Sequence, residues 1–314
     1  MGGTEQDRSQ VGHTHGHGHG HGHTHDNIDW AERIPNLRQV DALHRATFAE
    51  IARRLTNDLP AEATVVDAGC GAGGMSAALA AALRHRGGGR LVLVDAVPEL
   101  LTVAGEVARG GAATAAGGGP VEVDVVQADV AEDDLPSVVP AAQLVWAAHM
   151  VHHLPDQQAG IAGLAGVLAP GGVLAIAEGG LETECLPWDL GIDKPGFERR
   201  LLAARESWFI DMRAAIAGSA RMPYGWTVAL RRAGLADVGS FTSVVDHPAP
   251  PTDAVRDFAV GRIGMLVETV GEHLGEEDRQ AAHHLLDPTD ERYLGRRDDL
   301  FVLGTRTVHY GRRP

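Results

Sequence analysis

Five apolar segments alternate with helical segments between residues 63 and 180, and this alternation constrains the fold more than any other feature. The predicted strands read ATVVDAG, RLVLVDA, VEVDVVQAD, QLVWAAH and VLAIAEGG. The intervening segments predict helices, the last of which should stop at Pro170. Strands that alternate with helices favour a mostly parallel sheet covered on both faces. Two later segments, ADVGSFTSVVD and DLFVLGTRTVHYGRR, predict a sixth and a seventh strand.

Further regions lie before and after this alternating pattern. Residues 27–60 have helical periodicity and predict an N-terminal helical lid made of one or two helices. Residues 61–314 are interpreted as one large α/β domain, and residues 181–232 and 247–296 as helical insertions within it.

Residues 1–26 form a low-complexity tail that should be disordered, because glycine, threonine and histidine cannot build a core. Imidazoles at every second position predict loose binding of Ni²⁺, Zn²⁺ or Cu²⁺, although an expression tag is an alternative interpretation. The histidines of this tail are His13, His15, His17, His19, His21, His23 and His25.

The charge and the composition exclude several classes of protein. A net charge of -15 without a sustained basic run argues against a nucleic-acid partner and against a polybasic membrane patch. No apolar run is long enough to span a bilayer, and the N-terminus lacks the regions of a signal peptide. Because one of the two cysteines lies in a glycine turn, a disulfide is not expected. The chain is predicted to be a cytoplasmic protein.

The segment VVDAGCGAGG, residues 65–74, predicts a ligand-binding turn between the first strand and the first helix of the sheet. Four glycines exceed what simple packing of a helix on a strand needs, which is the alternative interpretation. Gly69, Gly71 and Gly74 also fit the dinucleotide pattern. However, Asp67 would face a pyrophosphate badly and suits an ammonium group instead.

Two further aspartates help to select the ligand. Asp95 ends the second strand, where a carboxylate can accept both hydroxyls of a ribose. Asp129 ends the third strand, where it can accept a hydrogen bond from an adenine amino group. An ammonium group, a ribose and an adenine together describe S-adenosylmethionine.

With these motifs the chain resembles the class I S-adenosylmethionine-dependent methyltransferases. The resemblance rests on VVDAGCGAGG, LVLVDA, VQAD, HHLPD and LAPGGVLAIAE, in the family's order and spacing over about residues 60–180. It implies a Rossmann-like, mostly parallel seven-stranded sheet whose last strand is antiparallel, with helical lid elements. The implied cofactor is S-adenosylmethionine. The implied partner is a small-molecule acceptor, such as a natural product with a hydroxyl group.

The resemblance also implies the residues that contact the cofactor. Cys70 lies between the glycines of the turn, where the family commonly has cysteine, and is interpreted as structural. The turn would line the methionine part, the end of the second strand the ribose, the end of the third strand the adenine, and the end of the fourth strand the sulfonium. The implied residues are Asp67, Gly69, Cys70, Gly71, Asp95, Ala96, Asp129, Val130, Ala147 and His149.

The segment WAAHMVHHLPD contains the candidate catalytic groups. His152, and less strongly His153, could take a proton from the acceptor near neutral pH. Glu178, at the end of the fifth strand, could orient the imidazole. Two alternative interpretations are that one histidine only caps the turn, and that His149, His152 and His153 form a metal site.

An aromatic-rich zone after the fifth strand could line an acceptor pocket or belong to the core of a lid. Its residues are Trp208, Phe209, Met222, Tyr224 and Trp226. Two other functions remain as alternatives: an NAD(P)-dependent oxidoreductase, and a metal-handling protein that acts through its histidine-rich tail.

Overall fold

The computed structural model describes residues 30–115, 117–192 and 194–314. Seven strands form its sheet: β1 (Thr64–Ala68), β2 (Gly89–Asp95), β3 (Val121–Gln127), β4 (Ala142–Ala148), β5 (Leu168–Ala177), β6 (Ala236–His247) and β7 (Val302–Arg312). The α-helices of the described part are α1 (Trp30–Thr56), α2 (Gly74–His85), α3 (Pro98–Thr114), α4 (Leu135–Val138), α5 (Gln157–Gly166), α6 (Phe197–Ala215), α7 (Trp226–Arg232), α8 (Asp253–Val270) and α9 (Glu276–Leu286).

The strand order is β3-β2-β1-β4-β5-β7-β6. Strands β1 to β5 pair in parallel, whereas β7 runs antiparallel to both β5 and β6. This arrangement confirms the predicted Rossmann-like sheet with an antiparallel last strand. Strands β2 and β3 lie on one side of β1, and β4 and β5 lie on the other. The switch point between β1 and β4 leaves a crevice at the carboxyl ends of the strands.

Apolar side chains cover both faces of the sheet. Helices α1, α2 and α3 pack on one face, around Ile51, Leu79 and Leu93. Helices α4, α5 and α7 pack on the other, around Ile161 and Ile176. The nearly continuous burial of β1 and β4 agrees with strands that are covered on both sides.

A third apolar core, distinct from the two on the sheet, joins α6, α8 and α9. It includes Leu201, Ile263 and Leu285, all fully buried. Full burial of such a side chain contributes about 1.5–3 kcal/mol. Helices α6, α8 and α9 therefore have a core of their own, which fixes α6 relative to the other two.

Two details differ from the sequence prediction. Helix α5 ends at Gly166 rather than at Pro170, and β5 already begins at Leu168. The early start is possible because Gly172 approaches the β4 backbone closely: an added Cβ would lie 2.8 Å from the carbonyl oxygen of Ala142. In addition, among the described residues of 181–232 only α6 and α7 are α-helical, and residues 181–192 are irregular.

Candidate active site

The glycine turn after β1 has a backbone conformation that side chains rarely adopt. Gly69, Gly71 and Gly73 have φ values of +69°, +54° and +88°. The Gly69 N–H donates to the carbonyl oxygen of Val94 at 2.8 Å, which ties the turn to the end of β2. A Cβ on Gly71 would meet no atom within 4 Å, so the space above this residue is open. This open cradle fits a ligand that lies against the backbone.

Asp95 connects the turn to the second strand. One carboxylate oxygen accepts from the Gly71 N–H at 3.1 Å, and the other accepts from the Val97 N–H at 3.0 Å. Burial raises the pKa of Asp95, although these backbone hydrogen bonds oppose the shift. Each oxygen keeps a lone pair, so the carboxylate can still accept hydroxyl groups of a ribose.

Asp67 lies beneath the turn rather than on its open side. Its carboxylate is 2% exposed and accepts a hydrogen bond from the Ser76 hydroxyl at 2.5 Å. Burial raises the pKa of Asp67 to about 7, and the charges of Asp95 and Asp41 act in the same direction. The predicted direct contact with an ammonium group is therefore not preformed, and Asp67 would act on a bound cation through its charge.

The adenine-side residues lie beside Asp95. The Asp129 carboxylate accepts from the Ala131 N–H at 2.7 Å and so shapes the loop after β3. Its charge contributes to the raised pKa of Asp95, which places the two carboxylates near each other. Ala96 is exposed and Val130 half-buried at the same edge of the sheet.

The end of β4 separates the cofactor side from the rest of the crevice. Ala147 is completely buried between β1 and β5, so its side chain does not reach the open crevice. His149 has a left-handed φ of +50° and an exposed side chain, and its N–H donates to the carbonyl oxygen of Ala177 at 3.1 Å. Desolvation, with a smaller contribution from the charges of Arg306 and His152, lowers the pKa of this imidazole well below its usual value. A strained residue of this kind is characteristic of functional sites.

His152 and Glu178 are in direct contact. The Nδ1 atom of His152 lies 2.6 Å from Oε2 of Glu178, whose side chain is only 1% exposed. The other oxygen of Glu178 accepts from the N–H groups of Met150 and Val151, at 3.0 and 2.8 Å. Three donors thus hold the carboxylate, and the carboxylate in turn fixes the imidazole.

Three rings lie around His152, and that of His149 is 6.2 Å away between centroids in an edge-on arrangement. The ring of His153 lies 4.0 Å away between centroids, and the ring of Phe209, from α6, lies 5.8 Å away. Three other residues of the aromatic-rich zone, Met222, Tyr224 and Trp226, pack against the core on the α4–α5–α7 face. Of this zone, Phe209 is therefore the residue in ring contact with the candidate base.

Sequence reasoning missed three residues of this crevice: Asp41, His44 and Arg306. Asp41, on α1, accepts from the Gly74 N–H at the start of α2 at 3.0 Å. Arg306 donates to Nδ1 of the buried His44 at 2.7 Å. A signal did exist for Arg306, because it shares a face of β7 with the buried Val302, Gly304 and Val308.

Comparison with known proteins agrees with this geometry. Residues 66–176 match the family model described as a methyltransferase domain. The matched segment is a methyltransferase domain, in agreement with the family that the sequence motifs resemble. The match spans β1 to β5, with the glycine turn, Asp95 and His152, and so includes the predicted cofactor motifs. Such a domain agrees with the predicted cofactor S-adenosylmethionine and favours methyl transfer over the dinucleotide-dependent alternative.

Solved structures resemble the chain at low sequence identity. A candidate methyltransferase of Bacillus halodurans is 18% identical, with 86% of this chain and 98% of that chain covered and a TM-score of 0.46. A methyltransferase of Thiobacillus denitrificans in complex with S-adenosylhomocysteine is 16% identical, with 84% and 89% covered and a TM-score of 0.40. The phosphoethanolamine N-methyltransferase 2 of Haemonchus contortus is 15% identical, with 86% and 52% covered and a TM-score of 0.42. No curated protein matches the chain significantly.

The remaining predictions concern the histidine tail, metal binding, the cysteines and membrane insertion. The histidine tail lies outside the described residues. Within the described ranges, no group of three histidine, cysteine or acidic side chains is arranged to hold a metal, so this geometry does not support a site at His149, His152 and His153. Cys70 and Cys185 are buried free thiols. None of the helices in the described part is long and apolar enough to cross a membrane.

Proposed function

We propose that the methyltransferase transfers a methyl group to a hydroxyl of a small molecule, such as a natural product, with His152 as general base. The observation that carries this proposal is the 2.6 Å contact between His152 Nδ1 and the Glu178 carboxylate. A carboxylate can only accept a hydrogen bond, so this contact selects the form of His152 that carries its proton on Nδ1. The lone pair on Nε2 is then free to accept a proton.

Glu178 has a second role in this reaction. When His152 takes a proton, the imidazole becomes a cation beside a buried carboxylate, and their attraction stabilises the charge that develops. The N–H groups of Met150 and Val151 keep the carboxylate in place, so that little reorganisation is needed during the transfer. Glu178 thus acts as a positioning residue, and His152 contacts the acceptor.

In this reaction a methyl group moves to the acceptor oxygen and a proton moves to His152. When bound, S-adenosylmethionine would supply an electrophilic methyl carbon and would leave as the neutral thioether. The acceptor oxygen forms the new C–O bond as the C–S bond breaks, and the hydroxyl proton moves to Nε2 of His152. Because sulfonium is a good leaving group, alignment of the acceptor provides much of the rate. Phe209 and His153 supply the apolar and aromatic surface beside the base.

Substitution of His152 tests this proposal. With an acceptor found by screening hydroxylated small molecules, His152→Ala should lower kcat by about 10²–10⁴-fold, the range typical of general-base catalysis. Affinity for S-adenosylmethionine, measured by calorimetry, should stay nearly the same, because the base contacts the acceptor. Glu178→Gln should cause a smaller loss, since the imidazole remains present. His153→Ala measures the contribution of the second candidate.

The matched control is His85→Ala, which removes an exposed histidine at the end of α2, away from the crevice. It should leave kcat unchanged. A His152→Ala enzyme with nearly normal kcat would show that alignment alone is sufficient and that His152 only packs in the turn.

The remaining parts of the chain have accessory roles in this proposal. Helix α1 acts as a lid over the glycine turn, supported by the bond between Asp41 and Gly74. Regions 181–232 and 247–296 shape the acceptor side, residues 61–314 form the methyltransferase domain, and residues 1–26 bind divalent metal ions without contributing to turnover. The enzyme is proposed to work in the cytoplasm.

A further inference from the structure

Arg306 lies beyond the carboxyl end of β5, the strand that Glu178 follows. The pairing of β7 with β5 ends where Val308 faces Ala177, and Arg306 is two residues further along β7. Alternation along the strand places it on the same face as Val308, which packs in the core with α1, α2 and α3. Strands β4 and β5 separate this position from β1.

Among the described residues, the Arg306 guanidinium has no carboxylate partner. Within the described part of the chain it forms no salt bridge, and its hydrogen bond to a side chain goes to Nδ1 of His44 at 2.7 Å. Desolvation lowers the pKa of Arg306 to about 10, so the group stays charged at neutral pH. Because Nδ1 of His44 accepts this bond, His44 is neutral; burial lowers its pKa to about 3. The cation is thus not neutralised by its direct contact.

The two carboxylates whose charges act on Arg306 are held by other groups. Asp41 accepts from the Gly74 N–H, and Glu178 accepts from two backbone N–H groups and His152. Both oppose the lowering of the Arg306 pKa, but neither lies within ion-pair distance of the guanidinium. Buried charges are normally paired, so a half-buried arginine without a carboxylate indicates a missing anion.

The methyl donor would bring a second positive charge close to Arg306. The charge of Arg306 contributes to the lowered pKa of His149, so the guanidinium lies near the end of β4. In the proposed reaction the sulfonium binds at that strand end and adds another positive charge. An anion beside Arg306 would reduce the repulsion between the two cations, and a planar guanidinium is well suited to a bidentate contact with carboxylate or phosphate.

We propose that Arg306 binds an anionic group of the methyl acceptor, a carboxylate or a phosphate, and so makes the enzyme selective for acidic small molecules. This inference rests on the proposed function, because it assigns the anion to the molecule that receives the methyl group. It adds a recognition element on the acceptor side to the base at His152.

Calorimetry with simple anions tests the inference without knowledge of the natural acceptor. The full-length protein, with and without saturating S-adenosylhomocysteine, is titrated with acetate, benzoate and inorganic phosphate. At least one anion should bind to the wild type, and Arg306→Gln should weaken that binding by about 10- to 100-fold, as expected for loss of charge-assisted hydrogen bonds. Preference for benzoate or for phosphate identifies the acidic group of the acceptor.

Two further variants control for the fold and for total charge. Arg306→Lys keeps the charge but not the bidentate contact, so it should bind the anion with intermediate affinity. Arg312→Gln removes an exposed arginine from the opposite end of the same strand and should bind the anion like the wild type.

Three results would overturn the inference. These are no anion binding by the wild type, anion binding that Arg306→Gln leaves unchanged, or an equal loss of S-adenosylhomocysteine affinity in Arg306→Gln. The last result would assign the guanidinium to the carboxylate of the cofactor. If S-adenosylhomocysteine does not bind to the wild type, the proposed function fails instead, while the titrations without it still test Arg306.

Discussion

The cofactor half and the acceptor half of the crevice are built in different ways. Over β1, β2 and β3 the site consists of a glycine turn and short loops, held by Asp95 and Asp129, which lie close to them in sequence. Over β4, β5 and β7 it consists of side chains from separate parts of the chain, such as His152, Glu178 and Arg306. We therefore expect the first half to recognise a ligand largely through its backbone, and the second through its side chains.

The largest effect that tests this difference is expected at Gly73. A Cβ there would lie 2.7 Å from Cα of Ala104, in a left-handed conformation. Backbone strain and overpacking together should make Gly73→Ala less stable by about 2–5 kcal/mol, measured by urea unfolding. Gly218→Ala, on the acceptor side, has a similar φ and no neighbour within 4 Å, so it should lose only about 1–2 kcal/mol. Equal losses would contradict the view that the cofactor turn is the sterically restricted one.

The second prediction concerns Asp95, which joins the turn to the ribose position. Asp95→Ala should weaken S-adenosylmethionine binding by roughly 1.5–3 kcal/mol, the cost of losing charge-assisted hydrogen bonds. Calorimetry measures this change. Asp246→Ala, at an exposed position on β6, is the control and should bind normally. Unchanged affinity in Asp95→Ala, or tight NAD binding by the wild type, would refute the cofactor assignment.

The third prediction concerns the pH dependence of cofactor binding. The pKa of Asp67 is about 7 in this structure because the carboxyl group is buried. A cationic ligand favours the ionised form, so S-adenosylmethionine binding should release a proton and become tighter as pH rises from about 5 to 7. The change is at most tenfold per pH unit, and it should level off above pH 7. Calorimetry in buffers of different ionisation enthalpy detects the released proton.

Asp67→Asn provides the control for this pH dependence. It should bind S-adenosylmethionine with an affinity that changes little over the same range. The stability of the folded protein should change with pH in the opposite direction to cofactor binding. The raised pKa of Asp67 stabilises the folded protein at low pH, and this contribution is lost as pH rises through about 7. The asparagine variant should therefore gain relative stability above pH 7. Full pH dependence in Asp67→Asn would assign the effect to another group.

The smallest effect is expected outside both halves, in the tail. Deletion of residues 1–26 should remove Ni²⁺ and Zn²⁺ binding, which in the full chain weakens as pH falls through about 6.5. The free energy of unfolding should change by less than about 0.5 kcal/mol. Methyl transfer should continue. Loss of turnover after truncation would show that the tail takes part in the reaction.

Much of the cofactor half could be predicted from the sequence because its groups follow one another along the chain. The turn that contains Gly69 and Gly71 is marked by its composition, and Asp95 by its place at the end of an apolar segment. Asp67 shows the limit of such reasoning. Its position in the sequence suggests a ligand contact, whereas its burial and its bond to Ser76 depend on how α2 packs on β1.

The sequence by itself predicted the order of strands and helices, the cofactor turn and the candidate base. These features depend on the periodicity of apolar residues, the glycine content and the carboxylates at strand ends, which are all local properties of the sequence. Only the tertiary structure decided which distant side chains meet. Asp41 reaches the start of α2, and Arg306 reaches His44 across 262 positions of the chain. The physical reason is that β7 inserts antiparallel between β5 and β6. This insertion brings a C-terminal strand beside helix α1 and places an unpaired arginine next to the acceptor side.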